Sequence, residues 1–227
     1  MLQVTRDSLV CTEPDATLAA MRALFDEHHA IHLPRFLHPS LLAFIQDSLR
    51  TARFDDRVDE EIAREQCMAD NATLAMLWLF MNDARLFDVI GRITGSTPLE
   101  YFIGRVYLMR ADAGHYDRWH SDMGYARRIG MSVNLSEGQF QGGAFELRRA
   151  SAESAEWSIA NTGPGDAILF RIDHNLRHRV TAVVGTVPRV AYAGWFQGGP
   201  GLLSLLKDAA HTAGTAGESQ YTDPSIA

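Results

Sequence analysis

Residues 118–123 read Arg-Trp-His-Ser-Asp-Met, which sets His120 and Asp122 two apart. On an extended strand, side chains two apart point the same way, so an imidazole and a carboxylate at this spacing can share one cation. The triplet alone says little. With 9 His and 17 Asp in 227 residues, composition accounts for about one His-x-Asp match, and the chain has a second in His115-Tyr116-Asp117. His115 directly follows the turn-like Ala-Asp-Ala-Gly, where a strand has barely begun, so the later pair is favoured.

Two side chains seldom hold a catalytic cation, and a third ligand has to come from elsewhere. The run from Leu176 to Val183 puts Leu176, His178 and Val180 on one face and Arg177, Arg179 and Thr181 on the other, which turns His178 inward. By itself His178 fits a satisfied core histidine equally well. His174 sits in the loop-like Arg-Ile-Asp-His-Asn and reads as a surface residue. Further on, Arg189 opens Arg-Val-Ala-Tyr-Ala-Gly-Trp-Phe-Gln and shares a face with Ala191, Ala193 and Trp195. Two alanines beside an inward guanidinium leave a hollow, and a buried guanidinium needs an anion; its planar fork suits a carboxylate. Ser132 and Asn134 form the polar face of Ile-Gly-Met-Ser-Val-Asn-Leu and are expected to line the same hollow.

These residues need strands to present them, and the chain changes character where strands are wanted. Residues 1–100 read mostly as helix. Thr12-Glu13-Pro14-Asp15 resembles a helix start with Thr12 as N-cap, Pro39 opens a second helix, and two more precede Gly95, which stops the last. Methionine, tryptophan and phenylalanine at helical spacing there read as core, and residues 55–66 as a densely charged stretch. From Tyr101 to Gln197 the chain breaks into eight short runs rich in β-branched and aromatic residues, Arg118–Met123 among them, which predicts a sandwich, barrel or jelly roll. The expected organisation is one domain over 1–227: a mostly helical support (1–100), a β core (101–197) and a partly flexible tail (198–227).

Composition narrows the function classes. Net charge is −7, with 11 arginines against 9 acids in residues 101–200, and no dense basic run with interleaved aromatics argues for nucleic-acid binding. No window approaches the roughly 18 apolar residues of a membrane span. Without a basic region followed by an apolar stretch in Met1–Asp15, a soluble cytoplasmic protein is expected. The two cysteines, Cys11 and Cys67, lie far apart and read as reduced thiols.

Taken together, His120-x-Asp122, His178 and Arg189, with Gly-Gly-Ala-Phe-Glu-Leu between, Pro-Gly-Asp-Ala-Ile-Leu-Phe before the second histidine and a closing Gly-Trp-Phe, resemble the iron(II)- and 2-oxoglutarate-dependent dioxygenases in their prolyl 4-hydroxylase-like branch. The similarity spans residues 101–197, and Ala30–Phe44 resembles the strand and helix that often precede that core. The resemblance implies an α+β fold with a double-stranded β-helix core, His120, Asp122 and His178 as catalytic ligands of Fe(II), and Arg189 as partner of the distal carboxylate of 2-oxoglutarate. Asn134 falls where the family often has a polar residue reaching that carboxylate. O2 is the other co-substrate, oxidative decarboxylation to succinate and CO2 drives attack on an unactivated C–H bond, and the presence of Asp122 favours hydroxylation over halogenation. Three positions depart from the pattern: Arg110 stands where a tyrosine is usual, Ala182 where a proline is common, and the spacing to Arg189 is one residue longer than in many members.

As a strand, Arg118–Met123 would place Arg118 on the face of His120 and Asp122 and aim it into the pocket. Arg118 is then either a strand-start arginine that turns to solvent or pairs with Asp117, or the partner of a carboxylate on a small acid, amino acid or peptide substrate; neither nucleic acid nor membrane is expected as partner. A cupin-like ligand-binding jelly roll and a zinc hydrolase using the same triad are the competing readings.

Overall fold

The computed structural model describes residues 1–199 apart from Tyr125 and Asn161; the expected flexible tail lies almost wholly outside the described residues. A short hairpin, β1 (Leu2–Val4) and β2 (Leu9–Cys11), leads into α1 (Asp15–His28), β3 (Ala30–Leu33) and α2 (Pro39–Leu49). A second hairpin, β4 (Phe54–Asp59) and β5 (Ala63–Met68), precedes α3 (Ala72–Met81) and α4 (Ala84–Thr94). The remaining strands are β6 (Tyr101–Met109), β7 (Tyr116–Asp117), β8 (Arg127–Asn134), β9 (Gln141–Gly142), β10 (Phe145–Arg149), β11 (Trp157–Ile159), β12 (Ala167–Arg171), β13 (Leu176–Val180), β14 (Val183–Val184) and β15 (Arg189–Gln197).

The large antiparallel sheet runs β3-β12-β8-β15-β6-β5-β4, with β7 beside β5. A three-stranded sheet, β11-β10-β13, covers part of its inner face, and β14 pairs with β9. This is the expected α+β architecture, a curled major sheet and a smaller facing sheet forming a double-stranded β-helix of jelly-roll type, with the helices packed outside. Period-two alternation explains the layering. Ile129, Met131 and Val133 of β8 and Tyr192 and Phe196 of β15 join Leu41, Leu77 and Ile90 from the helices in the main core. On the opposite face, Ile168 and Phe170 of β12 meet Phe145, Leu147 and Leu176 of the small sheet. Each fully buried side chain of this size contributes roughly 1.5–3 kcal/mol through apolar burial.

The helices end largely as the sequence predicts. Gly95 caps α4 in the left-handed region at φ 65°, a conformation that glycine adopts without penalty, and His38 accepts from Ser40 N just before the proline that opens α2. Thr12, however, is not a cap: α1 begins only at Asp15, after Pro14, with no side-chain cap. Leu74, Leu77 and Met81 of α3 are core with Trp78 partly buried against them, whereas Leu79 is exposed; Trp78 Nε1 donates to Gly104 O at 2.7 Å, docking the helix on β6.

Two expectations are corrected. The charged stretch 55–66 is no helical support but the hairpin β4–β5, which extends the large sheet past β6 in the register Gln66↔Leu108 and Cys67↔Tyr107. Its charges alternate across two faces, so one row lies against the inner face of the sheet. The segment Arg118–Met123 is not a strand: beyond β7 the chain makes only an isolated antiparallel bridge, His120 to His178. Among the described residues, no helix is long and apolar enough to cross a membrane.

Candidate metal centre

The bridge between His120 and His178 is reciprocal, each backbone N–H donating to the other's carbonyl at 3.0 Å. It ties the irregular ligand loop to β13 and brings the two imidazoles together with ring centroids 4.3 Å apart. Asp122 closes the set: its Oδ1 lies 3.6 Å from His120 Nε2 and its Oδ2 3.2 Å from His178 Nε2. One ligand atom from each of the three residues falls within 4.8 Å of the others. The second His-x-Asp motif separates, because His115 turns away to accept from Arg110 N at 3.0 Å, and His174 is exposed.

Asp117, set aside in the sequence reading, sits directly behind the triad. Its Oδ1 is 3.2 Å from His120 Nδ1, and its Oδ2 accepts from Val180 N at 3.0 Å, so one carboxylate braces both histidine-bearing segments. His120 Nδ1 also meets the carbonyl of Arg118 at 2.8 Å, which leaves Nε2 to face the shared point. Burial alone would lower the His120 pKa, but the flanking carboxylates of Asp117 and Asp122 raise it to about 10. Asp122 is also desolvated, yet the adjacent imidazoles of His120 and His178 and the hydrogen bond from Trp195 hold its carboxyl far below the usual carboxylate range. The electrostatics of the site favour positive charge, as a divalent cation requires.

Neighbouring aromatics fix the ligands in place. Phe170 lies 4.5 Å from the His178 ring and 4.8 Å from Phe145, which walls one side of the site with apolar rings. Gly130 on the adjacent strand makes room for it, since a Cβ there would sit 2.1 Å from the Phe170 ring. Trp119 is flanked by the guanidinium carbons of Arg148 and Arg179, each 4.5 Å from its ring, which pins the residue just before His120. Trp195 Nε1 donates to Asp122 Oδ2 at 2.7 Å and fixes the carboxylate's orientation. Outer partners of this kind typically carry 10–100-fold in metal affinity. Trp195→Phe removes the donor and keeps the ring, and is expected to weaken Co(II) binding, followed by titration calorimetry, by roughly tenfold or more.

Around the triad opens a cavity of about 330 Å³, lined on the far side by Arg57 and Glu65 of the β4–β5 hairpin and by Tyr107 of β6. Arg57 Nη1 donates to Glu65 Oε1 at 2.7 Å. Burial raises the Glu65 carboxyl pKa against the pull of Arg57, and burial likewise pushes the Tyr107 phenol well above its ordinary range. Sequence reading missed Arg57 and Glu65 because the hairpin itself went unseen; Tyr107 lies in the run Tyr101–Met109 that was read as a strand, but it was not singled out.

Arg189 lies where alternation placed it. Its Nη2 donates to Ser132 Oγ at 3.1 Å, and Ser132 is the register partner of Ala193, so the guanidinium runs along the hollow left by Ala191 and Ala193 to the level of the cavity wall. Among the described residues it has no carboxylate within salt-bridge distance. Burial lowers its pKa, partly countered by the charges of Asp117 and Glu65. Arg110 is elsewhere, in a surface depression with Asp112 and Val187.

Two expected site residues are not at the cavity. Asn134 ends β8, and its amide is spent locally: Nδ2 donates to Thr162 O at 2.7 Å and Oδ1 accepts from Ser136 N at 2.9 Å. At a strand end a short polar side chain finds turn backbone to bind before it finds a pocket. Arg118 is exposed, donates to Glu60 O at 2.7 Å and stacks over Tyr116 at 4.6 Å. Without a strand through 118–123 the same-face argument lapses. Arg118→Ala is expected to shift stability by under about 0.5 kcal/mol in a urea melt and to leave Co(II) affinity unchanged.

Residues 105–197 match the family model described as the 2OG-Fe(II) oxygenase superfamily. No curated protein matches the chain in sequence. Among solved structures, a Pseudomonas putida prolyl-4-hydroxylase is similar with TM-score 0.60 and 20% identity, over 79% of this chain and 98% of that one. The non-heme alpha ketoglutarate dependent epimerase SnoN from nogalamycin biosynthesis gives TM-score 0.61 and 17% identity, over 81% and 83%. A Trichoplax adhaerens prolyl hydroxylase in complex with a hypoxia inducible factor peptide fragment gives 0.55 and 15%, over 82% and 94%.

Proposed function

We propose that this chain, whose residues 105–197 match the model of the 2OG-Fe(II) oxygenase superfamily, is an iron(II)- and 2-oxoglutarate-dependent hydroxylase of a small acid, amino acid or peptidyl substrate. The observation that carries this reading is the convergence of His120, Asp122 and His178 within 4.8 Å at a cavity reached by a guanidinium that has no carboxylate partner among the described residues. Two imidazoles and a carboxylate suit iron(II), and a set of three leaves positions for co-substrate and dioxygen. Bound iron(II) supplies dioxygen activation coupled to decarboxylation of 2-oxoglutarate: one oxygen atom enters succinate as CO2 leaves, and the other enters a substrate C–H bond to give C–OH.

The chain's own residues do the rest. Asp117 holds His120 in the orientation that presents Nε2, and Trp195 holds Asp122. Arg189 and Ser132 take the distal carboxylate of 2-oxoglutarate, and the protonated phenol of Tyr107 faces the same cavity as a donor. The apolar wall of Phe145 and Phe170 excludes water from the reacting centre.

Anaerobic addition of iron(II) and 2-oxoglutarate to the purified protein is expected to give a violet complex, and admission of oxygen to release succinate. Iron binding with no succinate formed would support a cupin-like binding protein, and turnover with zinc in the absence of oxygen a hydrolase. SnoN is an epimerase, so the product's mass separates the two oxidative outcomes: hydroxylation adds one oxygen atom, whereas epimerisation adds none.

A further inference from the structure

We propose that Arg127, seated on Trp195, is the anion-binding residue for the primary substrate, and that this substrate is a small molecule with a free carboxylate. The proposal rests on the hydroxylase reading above. Two arginines line the triad cavity, Arg57 and Arg127. Arg57 is neutralised by Glu65 at 2.7 Å. Among the described residues Arg127 has no carboxylate within salt-bridge distance, and its one side-chain hydrogen bond is from Nη1 to the backbone carbonyl of Asp122 at 3.2 Å. A half-buried guanidinium without a counter-ion is costly, and a cavity wall is where a ligand's anion can offset that cost.

The geometry is pre-organised for such a ligand. The Arg127 guanidinium lies 3.7 Å from the centroid of the Trp195 ring, and the same indole donates to Asp122 Oδ2. Stacking on an aromatic face fixes the plane of the guanidinium, so less side-chain freedom is lost when a carboxylate arrives at its remaining edge. The indole and the Asp122 carbonyl thus couple the anion seat directly to a metal ligand, and a molecule bound by its carboxylate at Arg127 holds its carbon chain beside the triad. Arg189 stands apart on the Ser132 side of the cavity, which leaves the two anion seats to two different acids.

The test uses the protein loaded with iron(II) and 2-oxoglutarate. The twenty L-amino acids and a set of small mono- and dicarboxylic acids are each assayed beside the primary amide for stimulated succinate release. At least one acid is expected to stimulate, with its amide at least tenfold weaker. Arg127→Gln is expected to raise that acid's half-saturating concentration at least tenfold while amidation costs the variant little further, because the two changes remove the same ion pair. The half-saturating concentration of 2-oxoglutarate is expected to stay unchanged, and Arg127→Lys to recover part of the loss. Near-UV circular dichroism and Co(II) affinity confirm that the variants keep the site. If no acid stimulates, if acid and amide are equal, or if amidation costs Arg127→Gln as much as the unaltered protein, the proposal is overturned. Absence of any violet complex with iron(II) and 2-oxoglutarate in the unaltered protein would instead defeat the hydroxylase reading beneath it.

Discussion

His120→Ala, Asp122→Ala and His178→Ala each abolish iron-dependent succinate formation, whereas His115→Ala and His174→Ala retain most of it. The contrast is set by geometry. The first three residues converge within 4.8 Å, while His115 is held by Arg110 N and His174 is exposed beside Asp173. A set of three ligands has no redundancy, so losing one removes both affinity and the arrangement of the remaining two. Asp122→Ala is the most informative of the series. It leaves two imidazoles in place but takes the carboxylate from between them, and strands the Trp195 indole N–H without its acceptor. Metal content after dialysis against iron(II) checks the assignment apart from turnover. An Asp122→Ala protein that retains iron and full activity would overturn the triad.

How far the site was legible depended on whether strand alternation applied. It applied on β15 and β13, where Ala193 and Trp195 line the cavity, Arg189 reaches its Ser132 wall and Tyr192 and Phe196 face the helices, and where His178 turns inward as its neighbours' chemistry demands. It failed at residues 118–122. There the chain leaves regular structure after β7, and His120 and Asp122 converge through a single bridge to His178 and the brace of Asp117. The residue types were right and the reason given for their convergence was not; Arg118, argued from the same strand, went with it.

The β4–β5 hairpin was illegible for a different cause. Phe54–Asp59 and Ala63–Met68 carry charges on both faces, as an exposed strand does, and nothing local tells that Glu65 is tucked against Arg57 beside Tyr107. That burial comes from pairing with β6, far along the chain, so it is a property of the sheet and not of the segment. Trp195 shows the converse case: its inward face could be read, but its bond to Asp122 depends on where an irregular loop comes to rest.

Arg189→Ala raises the half-saturating concentration of 2-oxoglutarate by well over tenfold and leaves metal affinity nearly unchanged. Removing one partner of a desolvated charge pair typically costs ~2–5 kcal/mol, and each 1.4 kcal/mol is about tenfold in binding. The surroundings place this case within that range. Burial already disfavours the charged guanidinium, the charges of Asp117 and Glu65 offset this only in part and from beyond salt-bridge distance, and Ser132 offers only a neutral oxygen at 3.1 Å. A dicarboxylate arriving there gains an ion pair that water competes for poorly. Metal affinity stays because Arg189 touches none of the three ligands; its one side-chain hydrogen bond is to Ser132. Arg189→Lys sharpens the test: the charge is kept and the planar fork lost, so recovery falls short of the unaltered protein. Co(II) affinity and 2-oxoglutarate affinity, measured on the same preparations, separate the two effects. An Arg189→Ala protein with unchanged 2-oxoglutarate dependence would move the distal carboxylate to another cation, with Arg57 beside Tyr107 the first to examine.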